Sequence, residues 1–298
     1  MHILRHLQSD RAVGLLFIAP FVITALFFMV YPIAEAIRMA FYSYNPLRPD
    51  LTAFVGLANF EYIFEDPLFW ASFWQATVWT LLSILFQTVF GVGLALLLHR
   101  ALFGMAFFRG LLLFPYIVPT VVIALIWRWI FNPEIGVVNY SLIASGIIKE
   151  PIYWLSTPAM AMASTIMLNV WKYTPFVVIC VLARLQSVPL ELYDAAKVDG
   201  AGTMRRFFDV TLPQLKEVLI VVIVFRTIWT FNKFEEIYLL TKGGPGTSTF
   251  NLAVYSFEQS MASLRLGVGA ATGVVMMIIL LIGSIVYLRV AGFGENEK

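Results

Sequence analysis

Apolar residues do not alternate with polar ones along this chain but come in long blocks separated by short polar connections. A helix that crosses a bilayer needs about 20 mostly apolar residues. Six blocks reach that length: roughly 13 to 34, 73 to 98, 111 to 131, 159 to 182, 217 to 240 and 269 to 290. None shows the period-two alternation of a barrel strand, so helices are the expected elements. The run 13–31 follows Arg5 and Arg11 and precedes Ala34-Glu35-Ala36, which imitates a signal-peptidase site. At about 19 residues it exceeds the roughly 7 to 15 of a signal h-region and is expected as a retained first helix. A shorter aromatic helix at the water interface is expected at 59–64, together with Leu68, Phe69 and Trp70.

The longest polar interruption, ELYDAAKVDGAGTMRRFFDVTLP at 191–213, has a pattern of its own. Good helix formers fill 190–198, and Gly200-Ala201-Gly202 follows where a left-handed turn would close the helix. Thr203 is expected to cap a second short helix through Asp209, and Leu212-Pro213 to force a restart into the fifth span. Two short helices about a glycine turn make a knuckle with exposed-looking Tyr193, Phe207 and Phe208. The residues alone allow either a solvated loop or a protein-docking surface.

Composition agrees with the pattern. Of 298 residues 60% are hydrophobic and 13% charged, and mean hydropathy is +0.83, which places the chain among multispanning membrane proteins as a single domain, 1–298. The net charge of +2 gives no reason to expect nucleic acid as a partner. The placement of charge is more informative. Connections holding both termini, the 99–110 turn and the 183–216 segment carry Arg5, Arg11, Arg100, Arg109, Arg184, Lys197, Arg205, Arg206, Lys216, Arg289 and Lys298. The opposite set has fewer, and its 35–72 segment is acidic and aromatic. Both termini and the 190–213 loop are therefore expected on the cytoplasmic side.

Some chemistry is missing. No phosphate loop occurs, so ATP is not expected to bind this chain. His2, His6 and His99 are scattered, with no catalytic or metal site in prospect, and the single Cys180 lies in an apolar run. Gly267, Gly269 and Gly273 at the start of the last span point to close helix packing.

Asp194-Ala195-Ala196, three residues, Gly200, nine residues, Val210-x-Leu212-Pro213 resembles the "EAA" loop of permease subunits of binding-protein-dependent ABC importers. That loop reads Glu-Ala-Ala, three residues, Gly, nine residues, Ile-x-Leu-Pro. Asp194 and Val210 are its two conservative departures here. Phe54-Val55-Gly56-Leu57-Ala58-Asn59-Phe60, Asp66-Pro67, Ile126-Trp127-Arg128-Trp129, Trp229-Thr230-Phe231-Asn232 and Thr241-Lys242-Gly243-Gly244-Pro245 are similar to its carbohydrate-uptake branch. The resemblance implies an all-α type I importer permease (MetI-like), multi-pass in a bacterial inner membrane. It also implies partners: a second permease subunit, two copies of a cytoplasmic ATPase that use ATP and Mg, and an external solute-binding protein. In that setting 190–213 is the coupling loop, with Tyr193, Asp194, Ala195, Ala196, Gly200, Phe207, Leu212 and Pro213 meeting the ATPase and Asp194 accepting from a basic residue there. An ion-coupled transporter or a channel subunit for a small polar solute is the alternative reading, set back by the lack of acids within the spans.

Polar residues inside spans are costly and usually face a cavity. Asn169, Tyr173 and Phe176 share a face of the fourth span, with Lys172 beside them and Pro175 expected to kink the helix. Arg226, Thr230 and Lys233 repeat the spacing in the fifth, with Trp229 adjacent. An aromatic face with hydrogen-bonding groups suits a sugar, although helix-packing contacts would use the same residue types. Aligned on the loop, Asn169, Tyr173, Phe176, Arg226, Trp229, Thr230 and Lys233 match positions that line the sugar site of the maltose permease, mostly with other identities. Arg226 and Lys233, lacking an intramembrane acid, would favour an anionic sugar derivative unless Glu235 or Glu236 neutralises Lys233.

Overall fold

The computed structural model describes residues 10–99 and 104–292, with only the backbone at 10–13, 105 and 106. Arg5, Arg100, Lys298, His2 and His6 lie outside the described residues, as does the Arg11 side chain. The chain forms two compact units, one running up to Asp66 and including Ser256–Val275, the other formed by Pro67–Tyr255 with the chain from Met276 on.

In the first unit, α1 (Asp10–Ala25) continues through a π-helical turn (Leu26–Val30) into α2 (Tyr31–Met39). The Tyr31 amide reaches back five residues to the Leu26 carbonyl, immediately before Pro32. The wide turn moves backbone away from a ring that lacks an N–H and would otherwise clash one turn upstream. A two-stranded hairpin follows, with β1 (Tyr42–Ser43) antiparallel to β2 (Ala53–Phe54) and Tyr42 opposite Phe54. The short helix expected at 59–64 is α3 (Ala58–Glu65). Asn59, buried on its first turn, donates to the carbonyls of Ala40 (2.8 Å) and Tyr42 (3.0 Å). A Cβ on Gly267 would overlap that Tyr42 carbonyl, and one on Gly269 would meet Ser256 and Ser260. Close packing therefore holds at both glycines, whereas Gly273 has open space around it.

The second unit opens with α4 (Pro67–His99), which takes up Leu68, Phe69 and Trp70 as its first turn instead of leaving them to the interface helix. Next come α5 (Met105–Ile117), α6 (Thr120–Ile130), α7 (Val137–Ala144) and α8 (Pro158–Gln186). After α8 the chain forms α9 (Leu190–Val198), α10 (Thr203–Arg206), a π-helical turn (Phe207–Thr211), α11 (Leu212–Phe231) and α12 (Glu235–Thr241). The last two helices are α13 (Leu252–Phe257) and α14 (Leu266–Val290). α8 packs along α4, a Cβ at Gly91 falling 2.6 Å from Val177 Cγ1, so only glycine admits this approach. Ala95, Leu98, Val177, Val181, Leu215 and Val222 join α4, α8 and α11 into one apolar core.

Four described helices are long and apolar enough to cross a membrane: Gly14–Met39, Pro67–His99, Pro158–Gln186 and Leu266–Val290. The block expected at 111–131 is a pair, Phe107–Ile117 and Thr120–Ile130, bent by 94°. Val118 and Pro119 are extended at the break, since proline drives its predecessor out of the α region. The block expected at 217–240 is interrupted too. α11 has 20 residues, a membrane's length, but carries Lys216, Glu217 and Arg226, and it ends at Phe231. There the Asn232 amide bonds to the Thr230 carbonyl and its side chain takes the Ile228 carbonyl (3.0 Å), while Asn251 holds the Lys233 carbonyl (2.7 Å). These local bonds displace the helical ones. Pro175, by contrast, lies within the unbroken span of α8.

Candidate functional site

The 190–213 segment forms two helices about a glycine turn, with three local corrections. Asp199 ends α9, the Gly200 amide bonds to the Lys197 carbonyl and the Ala201 amide to the Ala196 carbonyl (2.9 Å), with Gly200 at φ 74. This is the Schellman closure, which needs a left-handed residue and so favours glycine. Thr203 is not the cap; Gly202 is, with no side-chain bond, and Thr203 is the first helical residue. Leu212-Pro213 does not restart the helix. The π-helical turn carries α10 into α11, the Leu212 amide reaching the Phe207 carbonyl as Tyr31 reaches Leu26 before Pro32. Finally, Tyr193 and Phe207 are half-buried, and only Phe208 of the three aromatics is exposed.

The loop is braced from within. Tyr193 Oη lies 3.2 Å from Thr211 Oγ1, and Arg184 at the end of α8 donates twice to Gln214, to its carbonyl (2.8 Å) and to Oε1 (2.9 Å). Its charges pair on the surface, Asp194 with Lys197 (2.7 Å) and Arg205 with Asp209 (3.2 Å). Asp194, Ala195, Gly200, Leu212 and Pro213 face outward, with Ala196 half-buried beside them. Val198 and Met204 add apolar side chains that no described residue covers, at 88% and 75% exposure.

The second constellation is interior. Arg226 Nε donates to Gln87 Oε1 (2.9 Å), Gln87 Nε2 to Asn169 Oδ1 (2.6 Å), and Asn169 Nδ2 to Glu236 Oε2 (2.5 Å). Tyr173 Oη donates to Glu236 Oε1 (2.7 Å), and the Arg226 guanidinium lies 4.2 Å from the Tyr173 ring centre. The circuit closes on itself and joins α4, α8, α11 and α12. Arg226 also donates to Thr230 Oγ1 (3.2 Å), its i+4 neighbour. Gln87, Asn169, Arg226 and Glu236 are almost completely buried, where each unpaired polar atom would be costly.

This geometry changes the expected site in two respects. Glu236, near the end of the expected fifth span, is a buried carboxylate within the cluster, carried on α12 past the end of α11; the break at 232–234 sets α12 against α8. Lys233 is not on the α11 face with Arg226 and Thr230, because the helix ends before it. The break instead sets Lys233 Nζ 3.9 Å from Glu236 Oε1 and 5.0 Å from the Tyr173 ring centre. Lys172, also buried, donates to the Val118 carbonyl (2.6 Å), an acceptor released by the broken α5–α6 span.

Beside the circuit runs a row of rings. Tyr116 stacks on Phe176 (centroids 6.3 Å apart), Phe176 meets Trp229 edge-on (5.5 Å), and Trp229 meets Phe225 (5.8 Å). Trp229 and Tyr116 are partly open, at 43% and 38% exposure, so this row is the accessible wall of the site. The structure thus brings together Asn169, Tyr173, Phe176, Arg226, Trp229, Thr230 and Lys233. Gln87 and Tyr116 were missed, and Glu236, raised only as a group that could neutralise Lys233, does stand beside it and also enters the circuit. Gln87 had a signal, a lone amide in the apolar run 81–98; the wider role of Glu236 depends on a helix break.

Three comparisons bear on the chain. The profile of the protein family described as "Binding-protein-dependent transport system inner membrane component" matches residues 87–292. Over 283 residues the chain is 38% identical to the sulfoquinovosyl glycerol transport system permease protein SmoG of Agrobacterium fabrum, covering 95% of this chain and 91% of that one. Over 290 residues it is 34% identical to the trehalose/maltose transport system permease protein MalF of Thermococcus litoralis, covering 96% of each. Its fold is similar to a chain of a bacterial ABC transporter involved in the import of the acidic polysaccharide alginate, with a TM-score of 0.84 at 23% identity over 100% of both chains.

Proposed function

The chain belongs to the family of binding-protein-dependent transport system inner membrane components, and from that premise we propose that it is the permease subunit of an ATP-driven importer of a sugar or sugar derivative. The observation that carries the reading is the braced, outward-facing loop 190–213. Its glycine turn and uncovered apolar side chains, on a chain otherwise devoted to membrane helices, fit a socket on a cytoplasmic protein. Two copies of an ATPase, using ATP and Mg, would supply the energy, and a second permease subunit would complete the path. Both termini and the loop are assigned to the cytoplasm by the excess of Lys and Arg there. The names of the sugar permeases among its relatives, and the ring wall beside buried donors, support a sugar substrate.

The loop's rigid attachment to α8 and α11 gives a mechanism. Arg184 ties the end of α8 to Gln214 at the start of α11, so a displacement of α9 on ATPase closure is passed to both helices. Those two helices hold Asn169, Tyr173, Arg226 and Trp229, and rocking them against α4 would open the site alternately to the two sides. Reconstitution tests this: ATP-driven sugar uptake should require the chain, its ATPase and a binding protein. Uptake driven by an ion gradient through the chain alone would favour the secondary-transporter reading instead.

A further inference from the structure

The charges around Tyr173 do not balance. Three cations converge on its ring, with Arg226 at 4.2 Å, Lys233 at 5.0 Å and Lys172 at 5.5 Å from the centre. Among the described residues Glu236 is the only buried carboxylate, and Glu235 beside it is exposed. The closed circuit through Gln87 and Asn169 relays Arg226 to Glu236 and uses the acceptors of both amides. Three positive charges thus face one carboxylate, with Lys233 the cation that stands directly beside it at 3.9 Å, and two positive charges remain in excess.

Neither lysine has its ammonium saturated by the contacts around it. Lys172 gives one hydrogen bond, to the Val118 carbonyl, and Lys233 stands 3.9 Å from Glu236, beyond hydrogen-bond length. An ammonium has three donors. Two such groups beside one ring, in a low-dielectric setting, form a strong anion trap. Lys233 is half-buried, and the Tyr173 ring it faces meets Tyr116 of the ring wall edge-on (centroids 6.1 Å apart), which sets its ammonium beside that wall.

We infer that the substrate is an anionic sugar derivative whose carboxylate or sulfonate binds between Lys172 and Lys233 while its ring stacks on Trp229 and Phe176. This rests on the sugar-importer reading and reassigns Arg226 from substrate contact to positioning, since it is buried and two of its five N–H donors hold Gln87 and Thr230. The inference concerns charge on the sugar itself, not a lipid headgroup or a free ion.

The test uses the purified importer complex in nanodiscs of zwitterionic lipid, without binding protein, titrated with methyl glucuronide, methyl glucoside and inorganic sulfate and followed by thermal shift. Methyl glucuronide should stabilise the complex more than either other probe, Lys233→Gln and Lys172→Gln should each weaken that binding about tenfold, and Lys233→Arg should retain it. Equal shifts with glucoside and glucuronide would overturn the inference while leaving the sugar reading intact. So would a glucuronide shift that persists in both Lys→Gln variants. Sulfate alone, or anionic lipid alone, matching the glucuronide effect would assign the lysines to a free anion or a headgroup and overturn it as well. No shift with either sugar would count against the sugar reading itself.

Discussion

The 190–213 loop and the Tyr173 cluster both concentrate charge, but they pair it differently. Among the described residues of the loop, the ion pairs join residues three or four apart on an exposed helical surface, Asp194 with Lys197 and Arg205 with Asp209. In the cluster the bonds join residues 82, 67, 63 and 139 positions apart, in places solvent does not reach. Exposed pairs of the first kind contribute little to stability because water competes and screens them. Buried ones hold the structure, since losing one partner strands the other. The loop is therefore free to spend its surface on a partner, while the cluster fixes the helices that the partner would move.

That contrast can be attacked from its strongest point downward. Glu236→Ala strands Tyr173, Asn169 and Lys233 at once and should cost roughly 3–5 kcal/mol, read as a large drop in the unfolding temperature of the complex. An unchanged temperature would mean that the circuit holds nothing together. Gly91→Ala places a methyl against Val177 in the α4–α8 seam and should cost about 1–3 kcal/mol; unfolding of detergent-solubilised protein checks it. Gly200→Ala, which meets no atom within 4 Å but must hold φ 74, should cost only about 1 kcal/mol. Its signature is reduced ATPase copurification at nearly normal stability. Least costly of all, Asp194→Asn should change stability by under about 0.5 kcal/mol and yet lower ATP-driven uptake several-fold. If uptake is unaffected, Asp194 does not meet a basic residue of the ATPase.

The loop was readable because its determinants are local. Gly200 after a run of helix formers specifies a left-handed closure whatever surrounds it, and the spacing to Leu212-Pro213 can be counted. Apolar blocks gave the long helices for the same reason. The breaks were not read: the block 111–131 was expected as one helix in spite of Pro119, and the end of α11 depends on Asn232 and on Asn251, a residue from a later loop. With that break went the places of Lys233 and Glu236. Asn169, Tyr173 and Arg226 were identified as costly polar residues in spans, but their partner Gln87 lies 82 residues from Asn169 and 139 from Arg226. Helical periodicity says which residues share a face, not which distant face meets it. The helices α7 and α13 were missed because they are short and flank loops, with buried Asn139 and Asn251 bonding to loop backbone.

The central claim is that an exposed loop couples a cytoplasmic ATPase to a buried site in this chain. Its most direct test is solute uptake into proteoliposomes holding the chain with its second permease and ATPase, with ATP enclosed and the cognate binding protein outside. Uptake should depend on both ATP and binding protein and fall together with ATPase copurification in Gly200→Asp. Undiminished uptake by Gly200→Asp, or uptake by the chain without the ATPase, would contradict it.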